Sequence, residues 1–408
     1  IWSEQNRLHI AYNAVTIAVN VAAGDPIYDV TITLPGGQAT GAVRIGNTIL
    51  VSDNATGLVT AKLLVTDVTG ATDNVLTCTS YEGATLVGTA LIGAANSLFV
   101  YGSEFGKGTI GMAGAITPIA KTFTNSPIIL KDNYELSGSD VAQIGWIEVS
   151  TEDGQSGYLW YLKAESETRL RFEDYLEMSM VEGVKMATAD QPFGGVGAVG
   201  GAVQGIKGTE GLFAAIEDRG NVYSGFAGAA APGSGALGDF DAILKQLDKQ
   251  GAIEENMLFL SRATALDFDD MIAAVNGAYA ANTSASYGLF DNDGDMALNF
   301  GFSGFRRGSY DFYKTDWKYL NDATTRGLSN EIDGVMVPAG TSTVYDQMLG
   351  SNIRRPFLHV RYRASETEDR KMKSWITGSV GGAFTSDLDV MRVNFLSERC
   401  LVTQAANN

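Results

Sequence analysis

Histidine is almost absent from this chain: 408 residues contain two, His9 and His359. Neither has a partner at a ligand spacing such as H-E-x-x-H, so the sequence offers no local histidine metal site. Cysteine is as scarce, with Cys78 and Cys400 alone and no CxxC pair. Two thiols in so long a chain exclude a disulfide framework and point to a reducing compartment. Proline is low at 8 against 48 glycines, the balance expected of short strands joined by glycine-rich turns. No run of about 18 apolar residues exists, so no transmembrane helix is expected. Ile1–Ile10 holds Glu4, Arg7 and His9, which does not suit a signal peptide. The start at Ile1 rather than Met fits either proteolytic removal of a leading segment or a chain that begins where order begins.

Positive charge is also in the minority. There are 29 Lys and Arg against 47 Asp and Glu, a formal net charge of -18. Wrapping nucleic acid by phosphate neutralisation needs clustered Lys and Arg, so that mode is not expected. The surplus of acid favours solubility at high concentration. What is present is ordinary for a folded protein: 45% apolar and 19% charged residues exclude a disordered chain. The length suits two or three domains with sizeable cores.

Along residues 27–100 the pattern is β. Tyr28, Val30, Ile32 and Leu34 share one side of a strand, and Asp29, Thr31 and Thr33 share the other. Further runs at Ile45–Ser52, Leu58–Val68, Val75–Tyr81 and Ser97–Tyr101 are separated by turn-forming residues, which predicts a small sandwich or barrel. The spacing predicts a long helix over Gly157–Val184, where Phe172, Leu176 and Met180 recur every fourth residue. Glu165 with Arg169, and Glu167 with Arg171, are expected i,i+4 ion pairs on it. A capped helix is expected at Gly238–Gly251, a buried strand at Asn256–Ser261 and a second helix over Ala263–Val275. The clearest strands downstream are Phe357–Tyr362 and Leu388–Phe395. Taken together these elements predict an α+β architecture with an all-β module near the front.

Motifs for chemistry are weak. Gly195–Gly200 matches G-x-G-x-x-G, but Pro192 precedes it and more glycine follows, so the strand and helix that such a motif needs are missing. Gly102–Thr109 is one residue short of a phosphate loop, and Gly108 stands where Ser or Thr should hold magnesium. Asp291–Asp295 resembles a calcium loop whose glycine comes too early and whose closing glutamate is Phe302. There is no G-x-S-x-G elbow. Acid pairs such as Glu254-Glu255 and Asp269-Asp270 are adjacent in sequence, the mark of solvated charge rather than a placed acid and base. His359 lies in an alternating strand beside Arg361 and Arg363. No catalytic, cofactor or metal residue is assigned, and the chain is not expected to be an enzyme.

Phe123–Ser139, containing Asn125, Ile128-Ile129-Leu130 and Tyr134-Glu135-Leu136-Ser137-Gly138, leads into the Glu/Arg-rich helix at 157–184. This order resembles the major capsid proteins of tailed double-stranded DNA bacteriophages, the HK-97-type fold. The resemblance implies an extended E-loop, a long spine helix, a peripheral (P) domain and an axial (A) domain, with an all-β domain inserted. On that reading 1–26 and 98–156 are E-loop arms, and 27–97 is the insertion. Residues 157–235 are spine helix and P domain, 236–300 the A domain, and 301–408 the return through the P domain with C-terminal A-domain strands. The implied function is self-assembly into hexamers and pentamers of an icosahedral capsid. The shell would enclose double-stranded DNA without reading its sequence. Its implied partners are other copies, a portal, and auxiliary or cement proteins, with no membrane and no cofactor. The implied location is the virion, after assembly in the bacterial cytoplasm. Lys131, Asp132 and Glu135 on the E-loop, and Glu165, Arg169 and Arg171 on the helix, are the implied intersubunit contacts. Two other readings compete. One is another virion or surface protein, such as a tail tube or a glycan-binding adhesin. The other is a glycoside-active enzyme using two carboxylates.

Overall fold

The computed structural model describes residues 1–5, 10–20, 27–34, 40–82, 91–93, 95–114, 120–142, 148–150, 156–186, 206–224, 236–250, 253–268, 304–328, 332–346, 351–380 and 384–407. The chain divides into two compact units, Ile1–Phe123 and Thr124–Asn408.

The alternation in the first unit closes on itself. Six strands, β2 (Ala11–Val19), β3 (Ile27–Ile32), β4 (Asn47–Asp53), β5 (Thr60–Thr69), β6 (Val75–Ser80) and β7 (Asn96–Ser103), form a closed antiparallel barrel in the order β2-β3-β6-β5-β4-β7. A separate two-stranded ladder joins β1 (Trp2–Gln5) to β8 (Ala120–Phe123). Tyr28, Val30 and Ile32 point inward, as their spacing predicts, and join Ile49, Leu63, Leu76 and Leu98 in one core. Pairing slips at Tyr12/Val15, Thr48/Ile49 and Val65/Asp67. Such bulges bend and twist strands enough to close a small barrel. Closure also removes the sheet edges that would otherwise invite pairing with other chains. The barrel therefore draws on Ala11–Val19 and Asn96–Ser103 as well as on strands within 27–97.

Cys78 sits inside this core, and burial followed by the Asp29 charge pushes its thiol up to about 12. A buried thiol that stays protonated is inert. Cys400 is only part-buried. A thiol reagent at pH 8 is therefore expected to modify one cysteine per folded chain and the second only after denaturant. Equal rates at both positions would overturn this.

In the second unit a strand, β9 (Ile128–Ser137), runs into a short helical turn, α1 (Gly138–Val141), and then a small hairpin of β10 (Glu148–Ser150) and β11 (Ser156–Tyr158). The helix α2 (Leu159–Glu182) follows, then α3 (Leu212–Arg219) and α4 (Ala236–Gln250). A mixed sheet contains β12 (Glu255–Leu260), β13 (Gly304–Arg307), β14 (Tyr310–Asp316) and β15 (Gly334–Pro338), in the order β13-β14-β12-β15. Phe240 of α4 packs on this sheet among Phe268, Phe305 and Phe312. Arg307 of β13 reaches back to Asp241 of α4 at 2.5 and 2.7 Å, and this bond holds the Asp241 carboxyl below its ordinary range. A hairpin of β16 (Thr341–Asp346) and β17 (Ser351–Pro356) leads to β18 (Leu358–Tyr362), β19 (Lys373–Gly378) and β20 (Val390–Thr403). β20 is the spine of a second sheet. It pairs with β9 along one edge, and with β19 and then β18 along the other.

This architecture corrects the expected fold class. Among the described residues strand dominates, at 44% against 21% helix, with a closed six-stranded barrel and few helices, unlike the α+β HK-97-type capsid fold with its long spine helix. The physical reason lies in residues 304–403. Apolar residues there alternate in short β-branched and aromatic runs, and each run pairs with another rather than forming helix. The helix expected over Gly157–Val184 forms as α2, and the strand expected at Asn256–Ser261 forms as β12. The expected helix at Ala263–Val275 is seen as helical backbone at 262–268, and its remainder lies outside the described residues.

Candidate functional site

The sheet built on β20 has one covered face and one open face, and register decides which residues stand on each. α2 covers one side with a narrow ridge of Phe172, Leu176 and Met180, spaced four apart. Phe172 stacks on Phe395 at 5.8 Å, and Val393 and Leu130 complete that contact. Strand residues alternate between faces, so the neighbours of these residues must point away from α2. On β9 these are Ile129, Lys131, Asn133 and Glu135. On β20 they include Arg392, Asn394 and Leu396. On β19 they are Lys373, Trp375 and Thr377. The ladder sets Asn133, Asn394 and Trp375 in one row, with Lys131, Leu396 and Lys373 in the next.

Lys131, Asn133, Trp375, Asn394 and Leu396 of these rows, with Asp132 and Phe395, line an open groove of about 370 Å³. Trp375 is 41% exposed and Ile129 53% exposed, so the face presents apolar surface to solvent between its charges. The Asn394 amide donates to Thr377 Oγ1 at 2.9 Å and keeps its place in the row. Among the described residues no strand pairs with the outer edge of β9 or of β19. Unpaired edges and an uncovered face are features that a second chain can complete.

The connection between β18 and β19 is pinned by a buried acid. Glu398 is almost fully buried and faces Arg363 at 3.0 Å and Arg370 at 2.5 Å. Glu368 in turn pairs with Lys373 at 2.6 Å, and this bond lowers its carboxyl from the usual range. Removing one partner of a fully buried ion pair costs roughly 3–5 kcal/mol. Because Arg363 is mostly exposed, Glu398→Gln is expected to cost about 2 kcal/mol. The measurement is chemical denaturation together with amide exchange over 363–370, and unchanged exchange there would count against the pin.

The residues expected from sequence to make contacts fall into three groups. Asp132 and Arg171 are brought together within the chain at 3.1 Å, and Asp132 raises the Arg171 guanidinium above its ordinary value. Glu135 pairs with Arg392 across the β9–β20 ladder. Arg169 pairs with Glu173 at 3.2 Å and Lys163 with Glu167 at 3.7 Å, in place of the expected Glu165–Arg169 and Glu167–Arg171 pairs. Glu165 makes no ion pair among the described residues, and Lys131 stands on the open face lining the groove. The sequence did not single out Trp375, Asn394 or Arg392. Only the register of two distant strands against β20 reveals that they share a surface with Lys131.

The weak motifs gain no support as chemistry. At Gly102–Thr109 the chain leaves β7 into a turn closed by Thr109 N–H donating to the Gly106 carbonyl, and residues 104–113 contain no helix. The glycine motif at 195–200 and the acidic loop at 291–295 lie outside the described residues. Among the described residues no group of three or more His, Cys, Asp or Glu could hold a metal ion. No described helix is long and apolar enough to cross a membrane. No protein-family model matches the chain, and no curated protein matches it significantly.

Proposed function

We propose that this chain is a structural subunit that self-assembles, and that its assembly is the hexamers and pentamers of an icosahedral phage shell enclosing double-stranded DNA. The fold-level resemblance is not part of the case, because the strand content overturns it. The supporting observation is the half-covered sheet of the second unit. α2 and, nearer the end of β20, α3 pack one face, while the other carries Trp375, Ile129 and a groove between strand edges that no described strand pairs. Exposed apolar surface framed by charge is typical of surfaces that meet another protein. The acidic net charge suits a lining that does not grip packaged DNA. The portal and any cement protein would be further partners in the virion. Electron microscopy of the purified full chain tests the reading. Closed shells or rings of five and six subunits are expected. A discrete monomer at every concentration and ionic strength would overturn it.

A second reading has an observation of its own. On the barrel, Tyr81, Phe99 and Tyr101 are each exposed, and Tyr81 O–H donates to Glu104 at 2.5 Å. Exposed aromatic rings beside a hydrogen-bonding carboxylate suit a sugar, so a glycan-binding surface protein is the alternative. A glycan array separates the two: saturable binding lost in Tyr101→Ala, with no self-association, would favour the alternative.

A further inference from the structure

The acidic surplus is not spread evenly. Residues 354–399 hold nine Lys and Arg against six Asp and Glu, whereas residues 124–353 hold 15 against 33. One part of the second unit is thus basic and the part before it strongly acidic. Four of the nine basic side chains are committed to acids: Arg363 and Arg370 to Glu398, Lys373 to Glu368, Arg392 to Glu135.

Arg361 differs. It stands on β18 opposite Cys400, and its Nε–H donates to His359 Nε2 at 3.3 Å. His359 Nδ1 lies 2.8 Å from the Pro356 carbonyl, which fixes the tautomer with hydrogen on Nδ1 and leaves Nε2 as the acceptor. Burial first, then the Arg361 and Arg355 charges, lowers His359 from its ordinary value, so the ring is neutral where it receives this bond. The imidazole therefore orients the guanidinium and spends only its Nε–H. Among the described residues no carboxylate ion-pairs with Arg361, and the nearby Arg355 adds a second positive charge. A half-buried guanidinium, aimed by a neutral ring and ion-paired to no carboxylate of the described residues, suits a planar oxyanion.

We infer that Arg361, held by His359 and flanked by Arg355, receives a carboxylate from the acidic 124–353 part of a second copy of this chain. The inference rests on the self-assembly reading and adds its polarity. A basic segment that meets a different, acidic segment on the next copy makes a head-to-tail contact, and such contacts form rings when the rotation between copies closes. Opposite potentials across the contact would steer encounter and fix register.

The experiment uses the full chain. Sedimentation velocity and electron microscopy across a sodium chloride series compare wild type with Arg361→Gln and Arg361→Lys. Wild type is expected to assemble at low salt and dissociate as salt rises. Arg361→Gln is expected to weaken self-association by at least about tenfold. Arg361→Lys, which keeps the charge and loses the bidentate fork, should fall between them. Amide exchange of wild-type particles against wild-type subunits removes any dependence on variant folding, with protection expected over 358–362. Particles that form equally well from Arg361→Gln, or that leave 358–362 unprotected, overturn the inference and leave the assembly reading intact. A wild type that never associates overturns both. Binding of duplex DNA that Arg361→Gln abolishes, with self-association unchanged, would assign the site to phosphate and overturn the second-copy partner.

Discussion

Replacing Phe240 with alanine is expected to cost the second unit about 4 kcal/mol. The ring is fully buried on α4, with Phe268 edge-on at 5.3 Å, Phe305 at 5.7 Å and Phe312 at 5.2 Å. Deleting it removes the transfer energy of the ring and leaves a cavity whose walls are three other rings. Those rings also pack on one another, so they cannot collapse into the space without losing their own contacts. Hydrogen exchange resolved by peptide is the suitable measurement, because the two units need not unfold together. Amides of β12 and β14 should exchange faster by about a thousandfold, the equivalent of about 4 kcal/mol. Amides of the barrel give the internal reference. Unchanged exchange in β12 would mean that α4 does not anchor this sheet.

The second large effect is expected at Asn125, where one amide joins three segments. Its Nδ2 donates to the Leu401 carbonyl at 2.7 Å and the Glu210 carbonyl at 2.9 Å. Its Oδ1 accepts from Ser126 N–H and Glu210 N–H, both at 2.8 Å, and from the Thr209 hydroxyl at 3.2 Å. Alanine would strand several part-buried backbone groups at once, so a loss of about 3 kcal/mol is expected. Aspartate makes the sharper test. It keeps the three acceptor contacts but sets a carboxylate oxygen against two carbonyls. Asn125→Asp should therefore be at least as destabilising as Asn125→Ala at neutral pH, and should recover partly in acid when the group regains a proton. A tolerated aspartate would show that the two carbonyl bonds are dispensable. Denaturant midpoints at two pH values decide it.

How far the sequence foretells these features depends on range. Period-two alternation at Tyr28, Val30 and Ile32 is a local signal, and all three residues are buried as it predicts. The ridge at Phe172, Leu176 and Met180 is equally local and is found against the sheet or its neighbours. The barrel's closing strands were harder, because β2 and β7 meet only across the whole module. The ion pairs of α2 show where local rules fail. Acid-before-base spacing favours Glu167 with Arg171, yet Arg171 turns to Asp132 on a strand far away in sequence. Fixed tertiary geometry outweighed a helix-surface preference of a few tenths of a kcal/mol. The open face could not be found from spacing at all. Lys131, Asn394 and Trp375 belong to three strands whose register is set by β20, and single-strand alternation leaves the partner unspecified. The HK-97-type architecture fails for a related reason. An order of a few elements does not specify a fold, because the strand pairings that define it are not visible in the sequence.

β20 has a consequence for the order in which the molecule is made. β9, β18 and β19 all hydrogen-bond to it, and α2 packs on its Phe395. On the ribosome β9 and α2 emerge hundreds of residues of synthesis before their partner. The barrel, by contrast, pairs only within residues already translated. Synthesis at about 5–20 residues per second leaves the apolar ridge of α2 waiting for on the order of ten seconds or more. During that interval nascent chains on one polysome expose the same unpaired strand, so yield is expected to follow chaperone capacity more closely than the stability of the finished chain.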